Sequence, residues 1–304
     1  MYDLIGDIHG HAEKLKQLLS RMGYSEKGPC WSHPDRKVIF VGDFIDRGPA
    51  IRETLEIVKG MVDNEKAQAV MGNHEYNAIA YATQREDGTF LRSHNETHRH
   101  QHEKTLEQFS GRSEEWKEWV EWFKTLPLFL DLGELRVVHA CWDHDHINWL
   151  DQEFGGKLSN KLLREAHEKG SRAHIAIEET LKGKEVDIPA EFAWKDKDGT
   201  SRTSNRIKWW VDPSNATHQD LLFSCPAAIE NERVPQTINF NRYPSDGPPV
   251  FFGHYWLEGK QPELQSSNVV CLDYSVAKGG NLVGYRWNGE KSLTRDSFVV
   301  IHPH

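Results

Sequence analysis

Residues Tyr2–Tyr24 read YDLIGDIHGHAEKLKQLLSRMGY. The apolar run Tyr2–Ile5 has the length of a short buried strand. Glycine, acid, histidine and glycine follow it. Ala12, Leu15, Leu18, Leu19 and Met22 then recur at helical spacing up to the stop signal Gly23. The same order returns twice. KVIFV (Lys37–Val41) predicts a strand apolar enough to be buried on both faces. PAIRETLEIVKGMV predicts a helix with Pro49 at its start and Ile51, Leu55, Val58 and Val62 on one side. AQAVM (Ala67–Met71) predicts a third strand and NHEYNAIAYAT a third helix. This alternation implies a βαβαβ unit with a parallel sheet.

Farther on the pattern changes. Residues 84–125 are polar and rich in Glu, His and Trp, with a helical reading for SEEWKEWVEWFKTL. LFLDL and ELRVVHA predict a strand pair around Gly133. From about 143 to 245 the pattern weakens to helix-like runs near 158–183 and a charged loop between aromatic anchors, Trp194–Trp210. PVFFG, NVVCLDY, NLVGYRW and SFVVI predict closing strands. We expect one domain over 1–304, with insertions at about 84–125 and 143–245 forming a partly helical cap.

Composition narrows the function. The chain has 304 residues and 38% hydrophobic content, enough for a sizeable core. A net charge of −9 argues against nucleic-acid binding through counterion release. It allows a phosphorylated small molecule, nucleotide or protein as substrate, because bound cations invert the local sign. Cys30, Cys141, Cys225 and Cys271 form no C-x-x-C pair, so no disulfide framework or zinc knuckle is expected. The opening MYDLIGDIHG leaves no room for a secretion signal, and no apolar run approaches a membrane span. The expectation is a soluble cytoplasmic protein with no membrane partner. Oligomeric state is not readable.

Each polar motif stands at the C-terminal end of a predicted strand: GDIHG, GDFIDRGP, GNHE, then RVVHAC and FFGHYW. In open α/β sheets ligands bind at that edge. The placement directs Asp7, His9, Asp43, Asp46, Arg47, Asn73, His74, His139 and His254 toward one rim. Carboxylates, imidazoles and an amide oxygen suit Mn, Fe, Zn, Ni or Co better than Mg or Ca alone. They are too many for one ion. Two ions sharing a carboxylate would use them all.

In this order, GDIHG, GDFIDRGP, GNHE, VHA and GH resemble the calcineurin-like metallophosphoesterases, in the branch of the phosphoprotein phosphatases and bacterial diadenosine tetraphosphate hydrolases. The resemblance covers roughly 1–82, 127–142 and 249–301. It implies an α/β fold, a β-sandwich of two mixed sheets flanked by helices. It implies that Asp7 and His9 bind one metal, Asp43 bridges two, and Asn73, His139 and His254 bind the second, with Mn2+ expected first. His74 would be the general acid, oriented by Asp46, and Arg47 would hold phosphate oxygens. A hydroxide bridging the metals would attack phosphorus in a phosphomonoester or a dinucleoside polyphosphate. A second phosphate-binding arginine falls to Arg242 or Arg206. The chain departs from the family pattern at His139-Ala140-Cys141, Gly253-His254-Tyr255 and Asp273-Tyr274-Ser275.

Plainer readings stand beside these. Asp7 and His9 alone read equally as a turn with a helix cap. Asp46 and Arg47 read as a local ion pair, and His139 and His254 as core histidines. A metal-binding module of the same fold with little turnover is the alternative function, permitted by Cys141 and Tyr255. His94, His98 and His102 are spaced as a solvated helix face. Asp143 is expected to cap a helix, with His144 or His146 a lesser candidate for facing substrate. Trp116, Trp119, Trp122 and Phe123 are expected to pack.

Overall fold

The computed structural model describes residues 1–304 except 28–29, 188–193, 196–200, 203, 236–237, 239, 241 and 304. The chain opens with β1 (Tyr2–Ile5), α1 (Ala12–Arg21), a hairpin of β2 (Ser25–Lys27) and β3 (Cys30–Ser32), then β4 (Lys37–Phe40), α2 (Ile51–Asp63), β5 (Ala67–Ala69) and α3 (Asn73–Ala82). The antiparallel hairpin has no counterpart in the sequence reading, because its first strand is fully exposed and lacks an apolar alternation. The β1, β4 and β5 strands pair in parallel, as the alternation predicts.

Two further helices follow, α4 (Glu96–Gln108) and α5 (Ser113–Thr125). The strand pair β6 (Phe129–Asp131) and β7 (Arg136–Val138) leads to α6 (His144–Phe154), α7 (Asn160–Glu165) and α8 (Arg172–Lys182). Short strands β8 (Glu185–Asp187), β9 (Trp194–Lys195), β10 (Ser201–Arg202) and β11 (Ser204–Arg206) pair locally and precede α9 (His218–Leu221). Part of the anticipated loop 194–210 is therefore strand, and part lies outside the described residues. The chain closes with β12 (Val250–Phe252), β13 (Val269–Cys271), β14 (Asp273–Tyr274), β15 (Asn281–Trp287) and β16 (Phe298–Ile301).

Two mixed sheets result. One has the order β14-β15-β1-β4-β5, with β16 also on β15; the other runs β13-β12-β7-β6. Strand residues alternate between two cores. Leu4, Ile39, Val137, Phe251 and Val270 meet between the sheets. Ile5, Val38, Phe40, Val138 and Phe252 face outward onto helices. Burial of both faces explains the unbroken apolar runs. Ile207, Leu221, Leu222 and Ile229 form a small separate core within 143–245. Trp122 and Phe123 are buried as expected, and Trp116 and Trp119 pack against the same cluster.

The α4 helix has only His102 and Thr105 buried. Its inward stripe is polar, so apolar periodicity could not reveal it.

Candidate active site

The strand ends bring the rim residues together. The turn after β1 carries Asp7 and His9. The turn after β4 carries Asp43, Asp46 and Arg47. Asn73 and His74 open α3, His139 follows β7, and His254 follows β12. His9, Asp43, Asp46, Arg47 and His254 all hold positive φ, between 46° and 67°. Such conformations cost free energy for non-glycine residues and concentrate at functional sites. Glycine makes the approach feasible at two points. A Cβ on Gly72 would overlap Asp43, and one on Gly253 would overlap Asp7.

Asp43 lies at the centre. Its Oδ2 is 3.6 Å from His9 Nε2, 3.4 Å from His139 Nε2 and 4.0 Å from His74 Nε2. Asn73 Oδ1 is 3.1 Å from His139 Nε2 and 2.6 Å from His254 Nδ1. His9 Nδ1 donates to the Ile45 carbonyl at 2.9 Å and His139 Nδ1 to the Val41 carbonyl at 2.7 Å. Each carbonyl thereby fixes the tautomer that leaves Nε2 with a lone pair aimed at Asp43, the arrangement a ligating histidine needs.

Two trios could each hold a cation here: His9, Asp43 and His74, and Asp43, His139 and His254. Asp7 Oδ1, His9 Nε2 and His254 Nε2 are buried without a hydrogen-bond partner. Orphaned acceptors of this kind are costly unless a ligand satisfies them, so the donor set fits metal ions. Burial, with Asp273 and Asp43 nearby, pushes Asp7 well above the usual carboxylate range. Burial, with His74 beside it, lowers His9 to about 4. Burial also acts to raise Asp43, but the imidazoles of His139, His74 and His9 outweigh it and hold it well below.

Glu75, fully buried, grips the turn that carries Asp43. Its carboxylate accepts the backbone N–H groups of Asp43 (2.9 Å), Phe44 (2.8 Å) and Gly72 (3.0 Å). Burial and the Asp43 charge raise it to about 7. The sequence reading gave Glu75 no role; the signal was an acid at the third helical position after a glycine. Asp273 was missed likewise. It accepts the Trp256 N–H at 2.7 Å and orders the turn after His254.

His74 Nδ1 donates to Asp46 Oδ2 at 2.5 Å. Burial disfavours the imidazolium, but Asp43 and Asp46 outweigh it and raise His74 to about 9. Both carboxylates thus favour the protonated imidazole, whose Nε2 lies 4.0 Å from Asp43 Oδ2.

A cavity of about 830 Å³ opens over this cluster, lined in part by Arg47, Asn73, His74, Arg92, Arg206 and Trp256. Neither Arg47 nor Arg206 has a carboxylate partner among the described residues, and Arg206 Nε is buried without a hydrogen bond. Arg92 is already bonded to Asn77 and Gln101. Arg242 is exposed and does not line the cavity, so of the two arginine candidates only Arg206 reaches it.

Other expectations need correction. His102 is buried against Asp46, and His94 stacks on Tyr81 and Phe90, so these are not a solvated face. A polar stripe on a helix resembles a solvent face until its partner is known. Asp7 does not cap α1, whose N-terminus has no side-chain cap. Asp143 does cap α6, accepting the N–H groups of Asp145 and His146. His146 pairs with Glu179 and His144 stacks on Tyr243; neither lines the cavity. Cys141 is buried in the core, and Tyr255 donates to the Ile207 carbonyl at 2.8 Å.

Two mixed sheets with acid, amide and imidazole groups at one edge define the metallophosphoesterase class of fold. The chain belongs to the calcineurin-like phosphoesterase family, hydrolases that bind divalent metals; the family model matches residues 2–254. The asymmetrical bis(5'-nucleosyl)-tetraphosphatase PrpE of Geobacillus sp. (strain WCH70) is 33% identical over 159 residues, 50% of this chain and 61% of that protein. This chain thus spans about three fifths of that relative's length. The symmetrical bis(5'-nucleosyl)-tetraphosphatase of Vibrio campbellii is 26% identical over 300 residues, 97% of this chain and 98% of that one. A solved cold-active protein tyrosine phosphatase aligns at TM-score 0.49 and 15% identity, over 94% of this chain and 73% of that one. Among the described residues no helix is long and apolar enough to cross a membrane.

Proposed function

We propose that this chain is a dinuclear metal-dependent phosphoesterase that hydrolyses dinucleoside polyphosphates. The observation that carries the reading is the convergence of orphaned buried acceptors from Asp7, His9 and His254 around Asp43, beside a His74 whose Nδ1 is bonded to Asp46. Asp7 and His9 would hold one ion, Asp43 both, and Asn73, His139 and His254 the other. Mn2+ is the first candidate, and Fe, Zn, Ni and Co suit the same donors. When bound, two ions supply charge neutralisation and lower the pKa of a water.

The protein groups do the rest. Arg47 and Arg206 take phosphoryl oxygens, since both line the cavity without a carboxylate partner among the described residues. His74, aimed by Asp46, gives a proton to the leaving oxygen. The stretches 84–125 and 143–245 act as a cap on one domain; each supplies cavity residues, Arg92 from the first and Arg206 from the second. The nucleotide substrate is favoured by a cavity much larger than one phosphate needs and by relatives named tetraphosphatases.

Purified protein with Mn2+ should hydrolyse diadenosine tetraphosphate faster than a phosphopeptide. Two ADP, or ATP with AMP, would identify the bond cut. A preference for phosphopeptides moves the substrate to phosphoproteins. Metal binding with no hydrolysis of any phosphoester supports the binding-module alternative.

A further inference from the structure

Asp46 is held by more than His74. Its Oδ1 is 2.7 Å from His102 Nδ1 and accepts the Thr105 hydroxyl at 2.5 Å. Its backbone N–H donates to Thr105 Oγ1 at 3.1 Å. His102 and Thr105 are three residues apart on α4, so one helix face delivers both. The His102 ring is 6% exposed and lies between Tyr81 of α3, at 5.4 Å, and Trp116 of α5, at 5.5 Å. Its Nε2 is buried with no partner. A buried imidazole with one orphaned nitrogen costs on the order of 1–3 kcal/mol. An apolar residue would fill this aromatic slot without that cost.

We propose that His102 is a positioning residue for the acid step, acting with Thr105 through Asp46 on His74. With Oδ2 committed to His74 and Oδ1 to two donors from α4, the carboxylate cannot rotate without breaking all three contacts. The segment 84–125 thus aims the proton donor. The inference rests on the phosphoesterase reading. In that reaction water adds to phosphorus and releases one proton to solvent, the bond to the leaving oxygen breaks with its electron pair, and the His74 Nε2 proton joins that oxygen. His74 is left neutral and recovers its proton from solvent.

The test compares phenyl phosphate with p-nitrophenyl phosphate, whose leaving group needs a proton less. His102→Phe should lower kcat for phenyl phosphate about 10- to 100-fold, a loss at least about fivefold greater than for p-nitrophenyl phosphate, with KM unchanged. His102→Asn, whose amide N–H can stand where Nδ1–H stood, should recover most of the loss. Thr105→Val should repeat the selective loss, and it decides the question should His102→Phe not fold. In metal-free protein, the downfield proton resonance of His74 Nδ1, identified by its loss in His74→Gln, should shift in His102→Phe. Equal losses on both esters, a change confined to KM, or an unshifted resonance overturns the positioning role alone. Wild type with Mn2+ hydrolysing neither ester nor diadenosine tetraphosphate overturns the phosphoesterase reading and this inference with it; with activity on the tetraphosphate alone, the resonance shift decides the positioning role.

Discussion

The backbone N–H of His254 donates to Asp7 Oδ2 over 3.0 Å, joining residues 247 positions apart at the ends of strands in different sheets. Asp7 follows β1 of the larger sheet and His254 follows β12 of the smaller one. The donor cluster therefore exists only when the sandwich is closed. Ions that bind it bind the folded chain and not the unfolded one.

Metal should therefore raise thermal stability by mass action. At Mn2+ near 100 times its Kd the gain is about 2.7 kcal/mol, roughly 5 °C in Tm for a chain of this size. Differential scanning fluorimetry with and without chelator should show it. Asp43→Asn should lose most of the shift, because Asp43 belongs to both cation trios. A full shift in that variant would remove Asp43 from the ligand set.

His74→Ala should lower kcat about 10²- to 10⁴-fold with little change in metal content, as expected for loss of a general acid. Asp43→Asn should lose both activity and metal. Steady-state rates with p-nitrophenyl phosphate and Mn2+, alongside metal analysis, separate the two. Activity surviving in both variants would refute the mechanism.

Arg206→Ala should raise KM for the phosphorylated substrate about 10-fold or more, from loss of roughly 1.5–3 kcal/mol of charge-assisted hydrogen bonding. Arg242→Ala should leave KM unchanged, because Arg242 lies away from the cavity. A KM effect in the second variant alone would reverse the assignment.

A pH test falls outside the metal cluster. Lys184 Nζ reaches Asp143 at 2.7 Å and Glu179 at 3.2 Å, clasping α6 to α8. Burial acts to raise Asp143, but Lys184 and the His146 N–H outweigh it and depress it. A carboxyl depressed on folding contributes stability above its unfolded pKa of about 3.9, and the contribution fades as pH falls through the folded value. Asp143→Asn keeps the helix cap and removes the charge. It should cost about 1 kcal/mol at pH 7 and almost nothing near pH 3, by denaturant titration. Absence of any cost at pH 7 would assign Asp143 to capping alone.

The central architecture could be read from local sequence because each of its elements carries its own signal. KVIFV is apolar on every position because both faces of β4 are covered, and GDIHG, GDFIDRGP and GNHE mark where strands stop at a common edge. Glu75 and Asp273 escaped because their partners are backbone N–H groups of distant turns, which no side-chain pattern announces. The burial of one α4 face escaped for a related reason: its buried stripe is His102 and Thr105, and polarity reads as solvent exposure until a buried acid stands opposite.

Residue types at the strand ends were thus enough to gather the candidates on one rim, since strand ends and glycine turns are local events, and the family resemblance paired His74 with Asp46. Which arginine enters the cavity, and what steadies Asp46, depended on segments that reach the site from 84–125 and 143–245. Arg206 rather than Arg242 faces the cavity because the β11 strand folds back over Tyr255, and His102 meets Asp46 because α4 lies across the turn after β4. Those contacts join residues 49 and 56 positions apart, 255 − 206 and 102 − 46. Their energies are set by burial in the closed fold, a quantity the order of residues alone does not contain.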